Sequence, residues 1–135
     1  MIDLKFHHIG VATKSIEREF SVFEALGYRK VSETFIDEEQ RIRGLFIEGR
    51  RGAPALELLE DLDERGPLAA ILKNHIKFYH FAYETDNIES DSRKIISSLK
   101  AIMIVPIVNA TYFEKICFLA LRNQALIELV QLKGS

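Results

Sequence analysis

Two histidines and two glutamates recur at matching places in this chain of 135 residues. Glu57 follows His8 by 49 residues, and Glu128 follows His80 by 48 residues. Imidazole nitrogen and carboxylate oxygen are common ligands of divalent metal ions in proteins. Two copies of a unit with one ligand of each kind would supply four ligands to a single ion. The spacing therefore predicts a metal site.

The four residues belong to an internal repeat. The segment 6–17 aligns with 78–89 at an offset of 72, and the segment 55–58 aligns with 126–129 at an offset of 71. Each glutamate stands among apolar residues in a segment that is typical of a strand. Burying a carboxylate there is costly unless something pairs with it. A cation shared with the two histidines would compensate for that cost.

The other histidines are weighed against the repeat. A single histidine in a strand is more often structural than a ligand. We therefore interpret a histidine as a metal ligand only where it recurs in both copies of the repeat. Tyr79 stands where the second copy should match His7, and strand alternation turns His7 away from the face of His8. We interpret His7 as a packing or surface residue. His75 has no repeat partner, and we assign it no role.

Periodicity predicts the same order of elements twice, β-α-β-β-β, and hence an α+β fold. Ser15 and Asn87 are expected to cap the two long helices, and Gly27 is expected to end the first one. The expected strands are 4–12, 29–35, 42–48 and 55–59 in the first copy, and 78–84, 102–107, 114–120 and 125–132 in the second, with a short helix at about 67–73 and a loop at 108–113.

This pattern predicts one domain over residues 1–135. Module one covers about 4–60, a connector covers about 61–77, and module two covers about 78–132. The length suffices to bury a core without disulfides or other cross-links.

Composition excludes several classes of function. The formal net charge of −2 implies no electrostatic field for nucleic acid, and the apolar runs are too short and charge-interrupted to span a membrane. The first residues lack the apolar region of a signal peptide, so a cytoplasmic location is expected. The single cysteine, Cys117, allows no internal disulfide and is predicted to be a buried apolar residue.

The strings His8-Ile9-Gly10-Val11-Ala12, Glu57-Leu58-Leu59, Tyr79-His80-Phe81-Ala82-Tyr83-Glu84 and Leu126-Ile127-Glu128-Leu129 together resemble the vicinal oxygen chelate superfamily. The resemblance covers essentially the whole chain. It implies two βαβββ modules whose mixed sheet curves around one divalent ion. A site of mixed nitrogen and oxygen ligands suits Ni, Co, Zn or Mn, and the ligands alone do not choose among these metals. The ligands that it implies are His8, Glu57, His80 and Glu128, a set similar to that of bacterial glyoxalase I.

The resemblance also implies a reaction. The expected activity is that of a metal-dependent lyase or isomerase of glyoxalase I type, similar to lactoylglutathione lyase-like proteins. A proton moves at a carbon next to a carbonyl, through an enediolate that the metal stabilises. Glu128 is the first candidate for the base, and Glu57 is a candidate on the opposite face. The expected partners are a small α-oxo compound or thioester and a second copy of the chain in a homodimer.

Other readings stay open. One is an epimerase that racemises an acyl-CoA, as methylmalonyl-CoA epimerase does, and another is a non-catalytic module that binds a small molecule. An iron-dependent dioxygenase is disfavoured, because Glu57 would occupy a position that such chemistry needs open. Arg41, Arg43, Arg50 and Arg51 could hold an anionic substrate tail, although a solvated edge and loop are favoured over that role.

The chain departs from both enzyme patterns. Glutathione-dependent glyoxalases carry Arg where this chain has Ala12, and Asn where it has Asp61. Epimerases carry a second carboxylate where it has Gly44, with Glu48 nearby but out of register. They also carry a Gly-rich stretch where this chain has residues 109–113. These departures leave the substrate open.

Overall fold

Each candidate histidine lies in a strand where the chain passes from one compact unit to another. The computed structural model describes residues 2–134. The first unit comprises residues 8–79, and the second comprises residues 2–7 and 80–134. His8 and His80 are thus the first residues of β1 and β6 to belong to the first and the second unit, respectively.

The first unit contains a mixed sheet in the order β2-β4-β5-β1, with β3 paired to β4. β5 runs parallel to β1 and antiparallel to β4. The elements are β1 (Lys5–Thr13), α1 (Ile16–Ala25), β2 (Arg29–Lys30), β3 (Phe35–Asp37), β4 (Ile42–Glu48), β5 (Leu56–Asp61) and α2 (Ala69–Lys73).

The second unit repeats this plan in the order β6-β9-β8-β7. β9 runs parallel to β6 and antiparallel to β8. Parallel and antiparallel pairs therefore occur in both units, and the predicted α+β class with its two βαβββ patterns is confirmed. The elements are β6 (Phe78–Glu84), α3 (Ile88–Leu99), β7 (Ile102–Asn109), β8 (Lys115–Ala120) and β9 (Leu126–Gln131).

Both long helices begin directly after the predicted cap residues, Ser15 and Asn87. The Ser15 hydroxyl accepts a hydrogen bond from the Arg18 N–H, and the Asn87 side chain accepts one from the Ser90 N–H. Such a bond satisfies one of the backbone donors that the first turn of a helix leaves open. The helix starts therefore follow from local sequence in both copies.

Gly27 ends α1 as predicted. Its φ of +98° lies in the left-handed region, which favours glycine because glycine has no Cβ. Its N–H donates to the Glu24 carbonyl, and the Tyr28 N–H donates to the Phe23 carbonyl, each at 3.0 Å. This is a Schellman motif, and the edge-on contact of the Phe23 and Tyr28 rings supplies its apolar contact.

The predicted strand over residues 29–35 is wrong, because it breaks into β2 and β3. Val31 still donates its N–H to the Phe46 carbonyl, but the Phe46 N–H donates to the Ser32 hydroxyl instead of a backbone carbonyl. The Ser32 hydroxyl thus takes the place of the backbone carbonyl that would accept this bond in a regular strand pair. The predicted loop at 108–113 also starts late, since β7 continues to Asn109.

Each helix covers one face of its unit's sheet and forms a core there. The reverse face carries the candidate ligands. The buried residues of the core between α1 and its sheet are Val11, Ile16, Leu45, Ile47, Leu56 and Leu58, and those of the core between α3 and its sheet are Ile88, Ile95, Ala101, Cys117, Leu119, Ile127 and Leu129.

Replacing either cap residue by alanine should destabilise the protein. We expect Ser15→Ala and Asn87→Ala each to lower the free energy of unfolding by about 1 kcal/mol, because each removes a bond at a helix start. Urea denaturation measures this. Ser97→Ala, an exposed change inside α3, is the control and should stay within about 0.5 kcal/mol of the parent. Equal stability of all three variants would contradict the assigned caps.

Candidate metal centre

In the first unit the strand register brings His8 against Glu57. Gly10 of β1 is directly paired with Glu57 of β5, and His8 lies two residues earlier on the same face. Because Gly10 has no side chain, the Glu57 carboxylate can reach the histidine. His8 Nε2 and Glu57 Oε1 lie 3.0 Å apart, with His8 fully buried and Glu57 only 6% exposed.

The second unit repeats this arrangement. Ala82 of β6 is directly paired with Glu128 of β9, and His80 lies two residues before Ala82. His80 Nε2 and Glu128 Oε1 lie 3.1 Å apart, and both residues are buried. A small residue opposite each glutamate is therefore what lets the acid meet the imidazole.

The donor set and the spacing fit a divalent metal ion. Zinc bonds to histidine nitrogen or carboxylate oxygen are about 2.0–2.2 Å long, so two donors at a right angle around one ion lie about 3 Å apart. A hydrogen bond would have the same length. A buried carboxylate, however, must recover its lost hydration, and a cation with nitrogen and oxygen donors does so. Among the described residues, the buried His and Glu side chains that could hold a metal ion are His8, Glu57, His80 and Glu128.

Each pair includes a phenylalanine that the sequence interpretation missed. Phe46 is the cross-strand partner of Glu57, and its ring meets the His8 ring edge-on at 5.1 Å and 82°. Phe118 is the cross-strand partner of Glu128, and its ring meets the His80 ring edge-on at 5.0 Å and 88°. The two phenylalanines are 72 residues apart, as the histidines are. That offset was the available signal.

The two residues just before His8 make aromatic contacts within the second unit. The Phe6 ring contacts Phe81 and Tyr83. Those two side chains alternate with His80 on β6, and Tyr83 packs against the core under α3. Phe6 therefore lies on the helix side of the second unit. His7 packs edge-on against the buried Phe113 ring, as expected of a packing residue.

Asp61, which stands where glutathione-dependent relatives carry Asn, has a structural role. Its carboxylate accepts the Leu68 N–H at 3.0 Å, just before α2. A side chain at Gly66 would collide with it, since a Cβ there would lie 2.1 Å from the Asp61 Cγ. Burial raises the pKa of Asp61, Asp63 adds to the increase, and the Leu68 N–H and Arg41 oppose it. The residue holds the connector turn.

Gly44, which stands where epimerases carry a second carboxylate, is covered by an aromatic ring. A Cβ at Gly44 would lie 2.3 Å from Cζ of Phe35. Phe35 stacks on Phe46 with the ring centroids 5.8 Å apart. An aromatic pair therefore occupies this part of the strand face.

Two of the candidate anchor arginines bond within the chain. Arg43 Nη1 donates to Glu60 Oε2 at 2.9 Å, and Arg41 Nη2 donates to the Arg65 carbonyl at 2.7 Å and to Asp63 Oδ1 at 3.3 Å. Arg50 and Arg51 lie exposed in the turn between β4 and β5. The guanidinium groups of Arg41 and Arg43 thus already donate hydrogen bonds to groups of the same chain.

Cys117 is buried under α3, as predicted. Burial raises the pKa of its thiol to about 12, and the negative charge of Glu128 adds to the increase. A thiol of this kind stays protonated and is a poor nucleophile at neutral pH.

Among residues 2–134, no helix has both the length and the apolar character needed to cross a lipid bilayer.

The fold and the pairs define a class of protein with two βαβββ modules that each carry a buried His–Glu donor pair. A family model described as the Glyoxalase/Bleomycin resistance protein/Dioxygenase superfamily matches residues 7–97. The chain belongs to this superfamily, which confirms the resemblance drawn from the sequence.

Solved structures share the fold. A hypothetical protein from Bacillus halodurans is 23% identical, with a TM-score of 0.84 over 98% of this chain and 97% of its own. Methylmalonyl-CoA epimerase from Mycobacterium tuberculosis is 21% identical, with a TM-score of 0.82 over 96% and 89%. A Streptomyces coelicolor methylmalonyl-CoA epimerase variant in complex with 2-nitronate-propionyl-CoA is 23% identical, with a TM-score of 0.82 over 98% and 97%. No curated protein sequence matches the chain significantly.

The native thiol should be unreactive. We expect Cys117 not to react with Ellman's reagent at pH 8 and to give one equivalent in 8 M urea. Its folded pKa lies above the ordinary value of 9.0. The protonated thiol therefore contributes stability that is complete below about pH 9 and is lost as the pH rises towards 12.

Urea denaturation of the parent and of Cys117→Ala at several pH values measures that loss. The stability of the parent relative to the variant should fall between pH 9 and 11. Rapid thiol labelling of the native protein, or a difference that does not change with pH, would contradict the assigned burial.

Proposed function

We propose that the two His–Glu pairs ligate one divalent metal ion, and that the chain is an enzyme that moves a proton at a carbon next to a carbonyl. The observation that carries this proposal is recurrence. The same buried pair stands at 3.0 and 3.1 Å in two units that the sequence repeat relates. One such pair could be a structural ion pair, but two at equivalent positions support a shared ligand set. Membership of the superfamily supports the same ligands.

When bound, a divalent ion would supply Lewis-acid polarisation of a substrate carbonyl, which makes the neighbouring C–H bond more acidic. His8 and His80 would bind the ion through Nε2 and remain fixed. A carboxylate oxygen of Glu128 would take the proton, and Glu57 could return it from the other unit. Phe46 and Phe118 would keep water from the carboxylates, since both rings are buried beside them.

The type of isomerisation is the second part of the proposal. A glyoxalase I-type reaction agrees with the His/Glu/His/Glu set, whereas Ala12 and Asp61 disfavour glutathione as part of the substrate. Asp61 is engaged with Leu68 and offers the substrate no amide group. The substrate that fits best is a small α-oxo compound without a glutathione arm.

The second candidate is epimerisation of an acyl-CoA thioester. It is supported by the likeness to methylmalonyl-CoA epimerases, one of them in complex with methylmalonyl-CoA. Against it stands Gly44, because Phe35 covers the place of the second carboxylate. A single chain using Glu57 and Glu128 as its two bases would still allow racemisation.

The predicted homodimer and cytoplasmic location remain predictions.

Metal content tests the ligand set. Protein purified without chelators should hold about one divalent ion per chain, and Glu128→Gln should lose most of it, because the substitution removes an anionic ligand. Elemental analysis measures the content. Glu114→Gln, an exposed change in the same unit, should keep the full content. Equal metal in all three proteins, or none in the parent, would refute the proposed site.

Substrate assays separate the two reactions. We expect turnover of an α-oxo substrate, tested with the methylglyoxal hemithioacetal of a small thiol, and at least 100-fold less with Glu128→Gln. Methylmalonyl-CoA is assayed by exchange of its α-proton in deuterated water. Exchange of methylmalonyl-CoA alone would favour the epimerase. Full metal content with no activity on either substrate would favour a binding module instead of an enzyme.

A further inference from the structure

A phenylalanine ring packs against the histidine of each His–Glu pair, a contact that keeping water from the carboxylates does not by itself explain. Phe46 and Phe118 lie at equivalent places in the repeat, and each ring stands edge-on to a candidate ligand. The two distances differ by only 0.1 Å, and the two angles, 82° and 88°, are nearly the same. The residues around them differ between the copies. The preserved geometry therefore points to a common task.

Both rings are buried, but neither belongs to the apolar cluster under the long helix of its unit. The clusters under α1 and α3 contain neither Phe46 nor Phe118. Both rings lie instead on the reverse face of the sheet, directly across from Glu57 and Glu128 in the antiparallel register. Directly opposed side chains on one face are in contact range. Each ring thus lies against the histidine of its pair and across the strands from the glutamate.

We propose that Phe46 and Phe118 are positioning residues, which hold the imidazoles of His8 and His80 with Nε2 directed at the paired carboxylate. This inference rests on the proposed metal site. An imidazole can rotate about its bond to Cβ with little resistance. An aromatic ring packed edge-on against it restricts that rotation, and its apolar surface denies water a place beside the carboxylate. The donor pair is then ordered before a metal ion arrives.

In the first unit a third aromatic ring supports the arrangement. Phe35 stacks on Phe46 at 5.8 Å, so Phe46 lies between Phe35 and His8. The absence of a side chain at Gly44 makes room for Phe35. In the second unit Ile116 stands in the strand position that matches Gly44, so this support is specific to the first half.

The test is a titration of metal-free protein with Co²⁺ alone, in which the visible absorption spectrum of bound Co²⁺ is recorded at each step. Phe46→Leu and Phe118→Leu should each weaken Co²⁺ binding by about 10-fold or more, which is the range seen when groups that orient metal ligands are removed. Both should also shift the Co²⁺ absorption bands, because the histidine donors are less well held. A ring that only fills space would change stability without changing the spectrum.

The control is Phe23→Leu, which removes a similar edge-on ring contact in α1, away from the donors. It should bind Co²⁺ within about twofold of the parent, with the same spectrum. Phe46 and Phe118 variants that bind as the control does, with unchanged bands, would overturn the inference while leaving the metal site intact. A parent that binds no Co²⁺ would overturn the site and the inference together.

Circular dichroism establishes that each variant is folded. If Phe46→Leu does not fold, Phe35→Leu replaces it, because that change removes the support and leaves Phe46 in place. We then expect a smaller loss, about threefold, again with a shift of the bands. Unchanged binding by Phe35→Leu, or unfolding of both the Phe46 and Phe118 variants, would show that the rings serve the fold and not the donors.

Discussion

The structure depends on a buried contact between an imidazole nitrogen and a carboxylate oxygen, made once in each unit. Glu57 and Glu128 are almost fully removed from solvent, and a carboxylate in that position has lost several kcal/mol of hydration. An imidazole alone recovers part of this cost. A divalent ion bound between the two recovers more, which is why we regard the pairs as halves of a metal site.

The fold serves this contact through strand register. Parallel pairing of β1 with β5, and of β6 with β9, sets a small residue opposite each glutamate. A shift by one residue would turn each acid to the helix side. The helices help to hold the register, because the Ile16 N–H donates to Glu60 Oε1 and the Ile88 N–H donates to Gln131 Oε1. Each helix start is thus tied to the strand that carries the glutamate.

The sequence predicted these features unevenly. The repeat identified the histidines and glutamates because polar residues are conspicuous in apolar strands, and Ser15, Asn87 and Gly27 marked the helix ends because caps act locally. Phe46 and Phe118 were missed because an aromatic residue in a strand resembles ordinary core.

Tertiary contacts account for the remaining differences. The break between β2 and β3 depends on Ser32 reaching Phe46, and the role of Asp61 depends on Leu68 and Gly66. Neither contact has a local sequence signal. The departures at Ala12, Asp61 and Gly44 were visible in the sequence, but only the structure shows that Asp61 holds a turn and that Phe35 covers Gly44.

A crystal structure of the protein grown with Zn²⁺, with anomalous differences collected at the zinc edge, tests the central claim most directly. We predict one anomalous peak per chain, about 2.0–2.2 Å from Nε2 of both His8 and His80 and from an oxygen of both Glu57 and Glu128. Well-ordered His–Glu pairs with no anomalous peak between their nitrogen and oxygen donors, or a zinc ion bound only elsewhere on the chain, would contradict the account.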